Sequence, residues 1–240
     1  MIKNKNSVII VLIGLSVIAF IFSMSNIANT RRMKENSDGQ LKVLLQEKEA
    51  KDRARILPLK AGDIIFQTSQ STQSNAIQLA THSKYSHCGI VFKYANDFFV
   101  YEATKTVSLT ALEKWIARGQ DGQFVVKRLK NDEQILSTET LMKLNNAQNK
   151  FYKKEYDKYF SWTDNQIYCS ELVWKMYRDA TGLQIGNLQQ LRDFDLTSTE
   201  VKEKIKERYG ENIPLNDTVI SPVSIFNSDL LKTVLINQLR

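Results

Sequence analysis

The segment NQIYCSELVWKMYRDATG, residues 165–182, constrains this chain more than any other. Cys169, Leu172, Val173 and Met176 fall at i, i+3, i+4 and i+7, which lays one apolar stripe along a helix. Gly182 supplies the stop. Such a stripe must be buried against another layer. The runs that can receive it are strand-like: Ile64–Phe66 after the Gly62-Asp63 turn, then SHCGIVFKY and FFVYEATK, then QFVVKRL. The second and third of these meet at Ala95-Asn96-Asp97 and read as a hairpin. Four further helices are predicted. STQSNAIQLATHS carries Ser or Asn as a cap, and LTALEKWIARG stops at Gly119. STETLMKLNNAQNKFY has Ser137 as its cap, and LTSTEVKEKIKERYG ends at Gly210. TVISPVSIFNS reads as extended. Strands and helices follow one another without regular alternation or repeat, which predicts an α+β fold rather than a doubly wound parallel sheet.

The 240 residues suffice for one domain with a core plus appendages. The boundaries read 1–28, 29–58 and 59–240. Residues Ser7–Ser25 contain no charge, about the minimum for a membrane span, and basic residues flank them on both sides. A signal peptide or membrane anchor is expected there, with the protein exported to the periplasm or the outer face of the cytoplasmic membrane. Residues 29–58 read as a charged helical stem closed by Pro58. The formal charge of +7 belongs mostly to these appendages: residues 1–58 hold 10 Lys/Arg against 5 Asp/Glu, and residues 59–240 hold 23 against 21. That distribution, with no basic–aromatic recognition pattern, argues against nucleic acid as a partner.

The chain has two cysteines, Cys88 and Cys169, and two histidines, His82 and His87. Cys169 opens the helix just described. Unpaired N–H groups and the positive end of the dipole there favour thiolate and can bind a developing oxyanion. A thiolate nucleophile needs an acid for the leaving group, which imidazole supplies near neutral pH. His82 ends a polar segment, whereas His87 starts an apolar strand. Glu102 stands on the other arm of the hairpin and shares a face with Phe98 and Val100. An even-numbered loop puts it diagonally across from His87, within reach. Cys88 neighbours His87, so strand alternation is expected to turn it away from the site as a small buried hydrophobe. The Cys and His spacings match no zinc pattern, and no phosphate or dinucleotide loop and no serine-hydrolase elbow is present, so no metal or cofactor is expected.

GDIIFQTSQSTQSNAIQLATHSKYSHCGIVF, YEA, YDKYFSWTDNQIYCSELVWKMY and ISPVSIF, in this order, resemble the permuted papain-like amidases of the YaeF/YiiX type, relatives of NlpC-type peptidases. The resemblance spans about residues 59–235. It implies an antiparallel sheet packed against helices, with the histidine strand preceding the cysteine helix. It also implies Cys169 as nucleophile in YCSE, His87 as the base and Glu102 as its acidic partner, with hydrolysis through a thioester. Tyr168, beside the nucleophile, is a candidate to line the substrate pocket. Three functions remain open: an envelope amidase or peptidase on peptidoglycan peptides, a hydrolase of lipid or acyl conjugates, and a binding module without turnover. A long apolar tunnel beside Cys169 favours acyl chains; an open polar groove favours peptides.

Overall fold

The computed structural model describes residues 31–52, 54 and 57–237. The chain forms two units, Met1–Ala50 and Lys51–Arg240. In the first, the described residues are a single helix, α1 (31–50), exposed along nearly its whole length with Leu41, Leu44 and Leu45 in solvent. The charge-free run lies outside the described residues, and among those described no helix is long and apolar enough to cross a membrane.

The second unit is built on an antiparallel sheet of six strands in the order β4-β3-β2-β1-β5-β8. They are β1 (Ile64–Gln67), β2 (His87–Tyr94), β3 (Asp97–Ala103), β4 (Val107–Ala111), β5 (Phe124–Leu129) and β8 (Leu231–Asn237). The helices are α2 (Thr72–Thr81), α3 (Leu112–Arg118), α4 (Asp132–Ile135), α5 (Thr138–Phe151), α6 (Cys169–Thr181), α7 (Thr199–Tyr209) and α8 (Pro222–Phe226). A small second sheet pairs β6 (Gln189–Gln190) with β7 (Thr218–Val219).

Strand alternation splits the core in two. Ile64, Phe66, Cys88, Ile90, Phe92 and Tyr101 bury one face against Leu172, Val173, Met176 and Tyr177 of α6. Ile65, Val91, Val100 and Val126 bury the other with Leu112 and Trp115 of α3. The apolar stripe expected on residues 169–176 therefore finds its sheet. The β2–β3 hairpin pairs Tyr94 with Asp97, leaving a two-residue turn, Ala95-Asn96, with Ala95 at φ 52°. Its loop is even, as the diagonal pairing of His87 and Glu102 requires.

TVISPVSIFNS departs from expectation. Only Thr218–Val219 is strand, and Pro222–Phe226 is helical. The β-branched residues suggest a strand, but Pro222 stands at the first turn and Ser221 Oγ accepts from the Ser224 N–H at 3.2 Å. Strands β4 and β8 have no counterpart among the predicted strands; both lie at sheet edges, where half the side chains face water and the apolar signal thins.

Candidate active site

His87 is the first residue of β2, and the start of that strand is tied down on two sides. The Ser86 N–H donates to Gln67 O at 3.2 Å, and Ser86 Oγ lies 2.5 Å from Ser74 Oγ of α2. The Ile90–Tyr101 pairing brings Gly89 against Glu102, so His87 and Glu102 sit diagonally on one face. A Cβ at Gly89 would come within 2.5 Å of Val100 Cγ1 and 3.3 Å of Glu102 Cβ, so glycine is what lets the two strands carry this pair. The result is a 2.6 Å bond from His87 Nε2 to Glu102 Oε2, with Glu102 fully buried. Thr110 Oγ1 donates to Glu102 Oε1 at 2.5 Å, and Arg118 Nη2 reaches both carboxylate oxygens at 2.5 and 2.7 Å.

Cys169 is the first residue of α6, and the α6 start is anchored to the chain before α8. Ser170 Oγ donates to Ile220 O at 2.7 Å, and the Ile220 N–H donates to Tyr168 Oη at 3.0 Å. The Tyr168 N–H is 3.4 Å from Glu171 Oε2. The Cys169 N–H has no partner within the helix, because its first turn precedes the first i→i−4 bond, Leu172 N to Tyr168 O.

The two halves meet. His87 and Cys169 are close enough that each shifts the other's titration, and with Nε2 on Glu102 it is Nδ1 that remains for the thiol. Cys169 is held well below the usual thiol range: the Cys88 thiol contributes most, burial opposes it, and the His87 ring and the Cys88 backbone add to it. Burial would depress His87, but its bonds to Cys169 and Glu102 outweigh that and raise it to about 10. Burial raises Glu102 too, yet His87 first, then Arg118 and Thr110, bring it below the ordinary carboxylate value. All three shifts run in the direction that favours a thiolate–imidazolium pair backed by a carboxylate.

Cys88 corrects the expectation drawn from strand alternation. Its side chain does point away from the His87–Glu102 face, but the face it joins is the one α6 covers, so it meets Cys169. His87 reaches the same thiol from the other side because it sits at the strand's first position, at the end of the sheet. Both cysteines are free thiols. His82 is a surface C-cap residue in the left-handed region, 3.1 Å from Asp195.

Two spaces flank this centre. On the Cys169 side an apolar cavity of about 90 Å³ runs between α2 and α7, lined by Ile77, Ala80, Tyr168, Leu191, Phe194, Val201 and Ile205. On the His87 side an open groove of about 810 Å³ is lined by Ser69, Gln70, Ser86, Thr104, Lys105, Glu155 and Lys158. Gln73, Ile77 and Tyr156 border both. Gln73 Nε2 donates to Tyr156 Oη at 2.8 Å, which leaves the tyrosine proton free. Tyr156 is fixed by a parallel bridge to Ile167, just ahead of Tyr168. Sequence reasoning misses Tyr156, Thr110, Trp115 and Arg118. Trp115 and Arg118 stand three apart on one helix, a shared face that is readable; nothing local links that face to Glu102.

A family described as permuted papain-like amidase enzymes, the YaeF/YiiX or C92 family, matches residues 58–235. The chain belongs to this family. The histidine-first, cysteine-last order seen here is that of a permuted papain-like fold, and the family's activity is of the cysteine-hydrolase kind. An uncharacterised protein of Escherichia coli strain K12, YiiX, is 47% identical over 175 residues, 73% of this chain and 85% of YiiX. A crystal structure of YiiX from Escherichia coli O157:H7, described as a metalloprotein, is 46% identical, has a TM-score of 0.72 and covers 75% of this chain and 99% of that one.

Proposed function

We propose that this protein is a hydrolase of amide, ester or thioester bonds that uses Cys169 as nucleophile, His87 as acid and base, and Glu102 to orient His87. The observation that carries this reading is the junction of the α6 N-terminus with the His87–Glu102 pair. The Cys169 thiolate adds to a carbonyl carbon, and the Cys169 N–H stabilises the oxyanion. His87 gives its proton to the leaving amine, alcohol or thiol as the carbon–heteroatom bond breaks, leaving an acyl thioester on Cys169. Water then attacks the thioester, His87 takes its proton, and the acid departs with the thiolate restored.

The apolar cavity against Cys169 favours an acyl group as the electrophilic half, and the polar groove beside His87 suits a hydrophilic leaving group. A lipid or acyl conjugate is therefore preferred over a peptidoglycan peptide. The uncharged run Ser7–Ser25 supports work at the cell envelope, beside membrane-embedded acyl chains. Metalloprotein character is ascribed to the Escherichia coli O157:H7 YiiX structure and is said of that protein alone. Among the described residues no group of three His, Cys, Asp or Glu side chains could hold an ion, and both Glu102 oxygens are taken by Thr110, Arg118 and His87. No step is routed through a metal.

Labelling with acyl and peptidyl electrophiles, read by mass spectrometry, tests the assignment. Adduct on Cys169 is expected, with octanoyl probes outpacing peptidyl ones. Adduct on Cys88 instead would overturn the nucleophile, and faster peptidyl labelling would overturn the acyl preference. A Cys169→Ala protein that hydrolyses p-nitrophenyl octanoate as fast as the parent would overturn the mechanism altogether.

A further inference from the structure

Helix α3 presses two side chains, one turn apart, against the His87–Glu102 pair. Trp115 is fully buried and lies over His87, with ring centroids 6.1 Å apart and planes 28° from parallel. Arg118 uses Nη2 to touch both oxygens of Glu102. Its side chain is 45% exposed in the polar groove while the carboxylate it holds is 0% exposed. The carboxylate is therefore clasped from three directions: His87 on Oε2, Thr110 on Oε1, Arg118 across both. Without Arg118, only the Thr110 hydroxyl would hold Oε1, and the carboxylate could turn about its last torsion. A buried carboxylate that loses a cationic partner also takes up a proton more readily.

We propose that Arg118 is a positioning residue for the reaction: acting through Glu102, it keeps that carboxylate charged and fixed so that His87 presents Nδ1 to Cys169. The inference rests on the triad reading above. The titratable and charged groups that face the pair are Cys169 from α6, Cys88 from β2 and Arg118 from α3, with Tyr156, from the segment before α6, facing Cys169. Of these, Arg118 alone bonds the carboxylate, and it does so from a helix that carries neither the nucleophile nor the base.

The test uses the full chain with p-nitrophenyl octanoate as substrate and, independently of any substrate, iodoacetamide alkylation of Cys169 followed by mass spectrometry across pH. Arg118→Met is expected to lower kcat about 10- to 100-fold with KM within about twofold, as befits one charge-assisted bond acting through a second group. The pH profile should narrow from the acid side. Its acid limb moves up because Glu102 protonates more easily; its alkaline limb, where Glu102 is ionised with or without Arg118, should not move down. Arg118→Lys restores the charge but not the two-oxygen clasp, so it should recover part of the rate and most of the acid limb. Arg118→Gln serves in place of Met should the latter fail to fold. A variant that loses amplitude with an unchanged profile, or a Lys variant no better than Met, would reduce Arg118 to a packing role. Full turnover by Cys169→Ala would instead sink the triad reading, whatever Arg118 does.

Discussion

The Cys169 thiol stands between an imidazole and a second thiol, and the two neighbours act on it differently. The Cys88 thiol is the largest influence that lowers Cys169, while its own titration is pushed well up, first by burial and then by Cys169. Replacing Cys88 with Ala should therefore raise the Cys169 titration, moving the acid limb of iodoacetamide alkylation to higher pH. An unmoved limb would show that Cys88 only fills space. At the alkaline end the sign runs the other way. His87 holds its proton up to about 10, so the reactive pair should persist through neutral pH and fade only as the imidazolium titrates. His87, Cys169 and Glu102 are legible in the sequence because each sits at a position with a readable rule: strand start, helix start, hairpin diagonal. Cys88 is not, because alternation says which face a side chain takes and not what packs on that face.

At the scale of elements, the β2–β3 hairpin and helix α6 carry the site, and both can be probed at residues outside the Cys169–His87–Glu102 set. Gly89→Ala would force its new methyl against Val100 and the Tyr101 carbonyl, 2.8 Å away, and should cost about 1–3 kcal/mol in urea unfolding. On α6, Glu171 is pushed up from its ordinary 4.5 to about 7 by burial, despite Lys175 at 2.7 Å. The folded protein keeps that proton where the unfolded chain has released it. Stability should thus fall as pH rises from about 4.5 to about 7 and level off above, by at most about 3 kcal/mol from this group. Glu171→Gln should flatten that slope; a slope equal to the parent's would assign it to other groups. The strong elements are readable because α6 and the hairpin have clear periods, with Gly182 and Ala95-Asn96 marking their ends. Helix α8 is hidden by β-branched residues around Pro222. Strands β4 and β8 are hidden because VSLTA and LKTVLIN are half-solvated edges, fixed by pairing with β3 and β5 rather than by their own pattern.

For the whole molecule, the substrate is divided, on the proposed reading, between the two flanking spaces. Val201, 3% exposed on α7, lines the cavity beside Cys169, so Val201→Phe should cost octanoyl esters about tenfold more than acetyl esters. Equal losses on both would mean that the acyl chain lies elsewhere. The separation of the two halves along the chain has a consequence for biogenesis. The histidine arm leaves the ribosome well before the cysteine helix, and the thiol gains its base and its neighbouring sulfur only when α6 docks on β2. A chain in transit therefore carries two ordinary thiols until that contact is made. On the proposed reading, rapid labelling of Cys169 doubles as a readout of α6 docking.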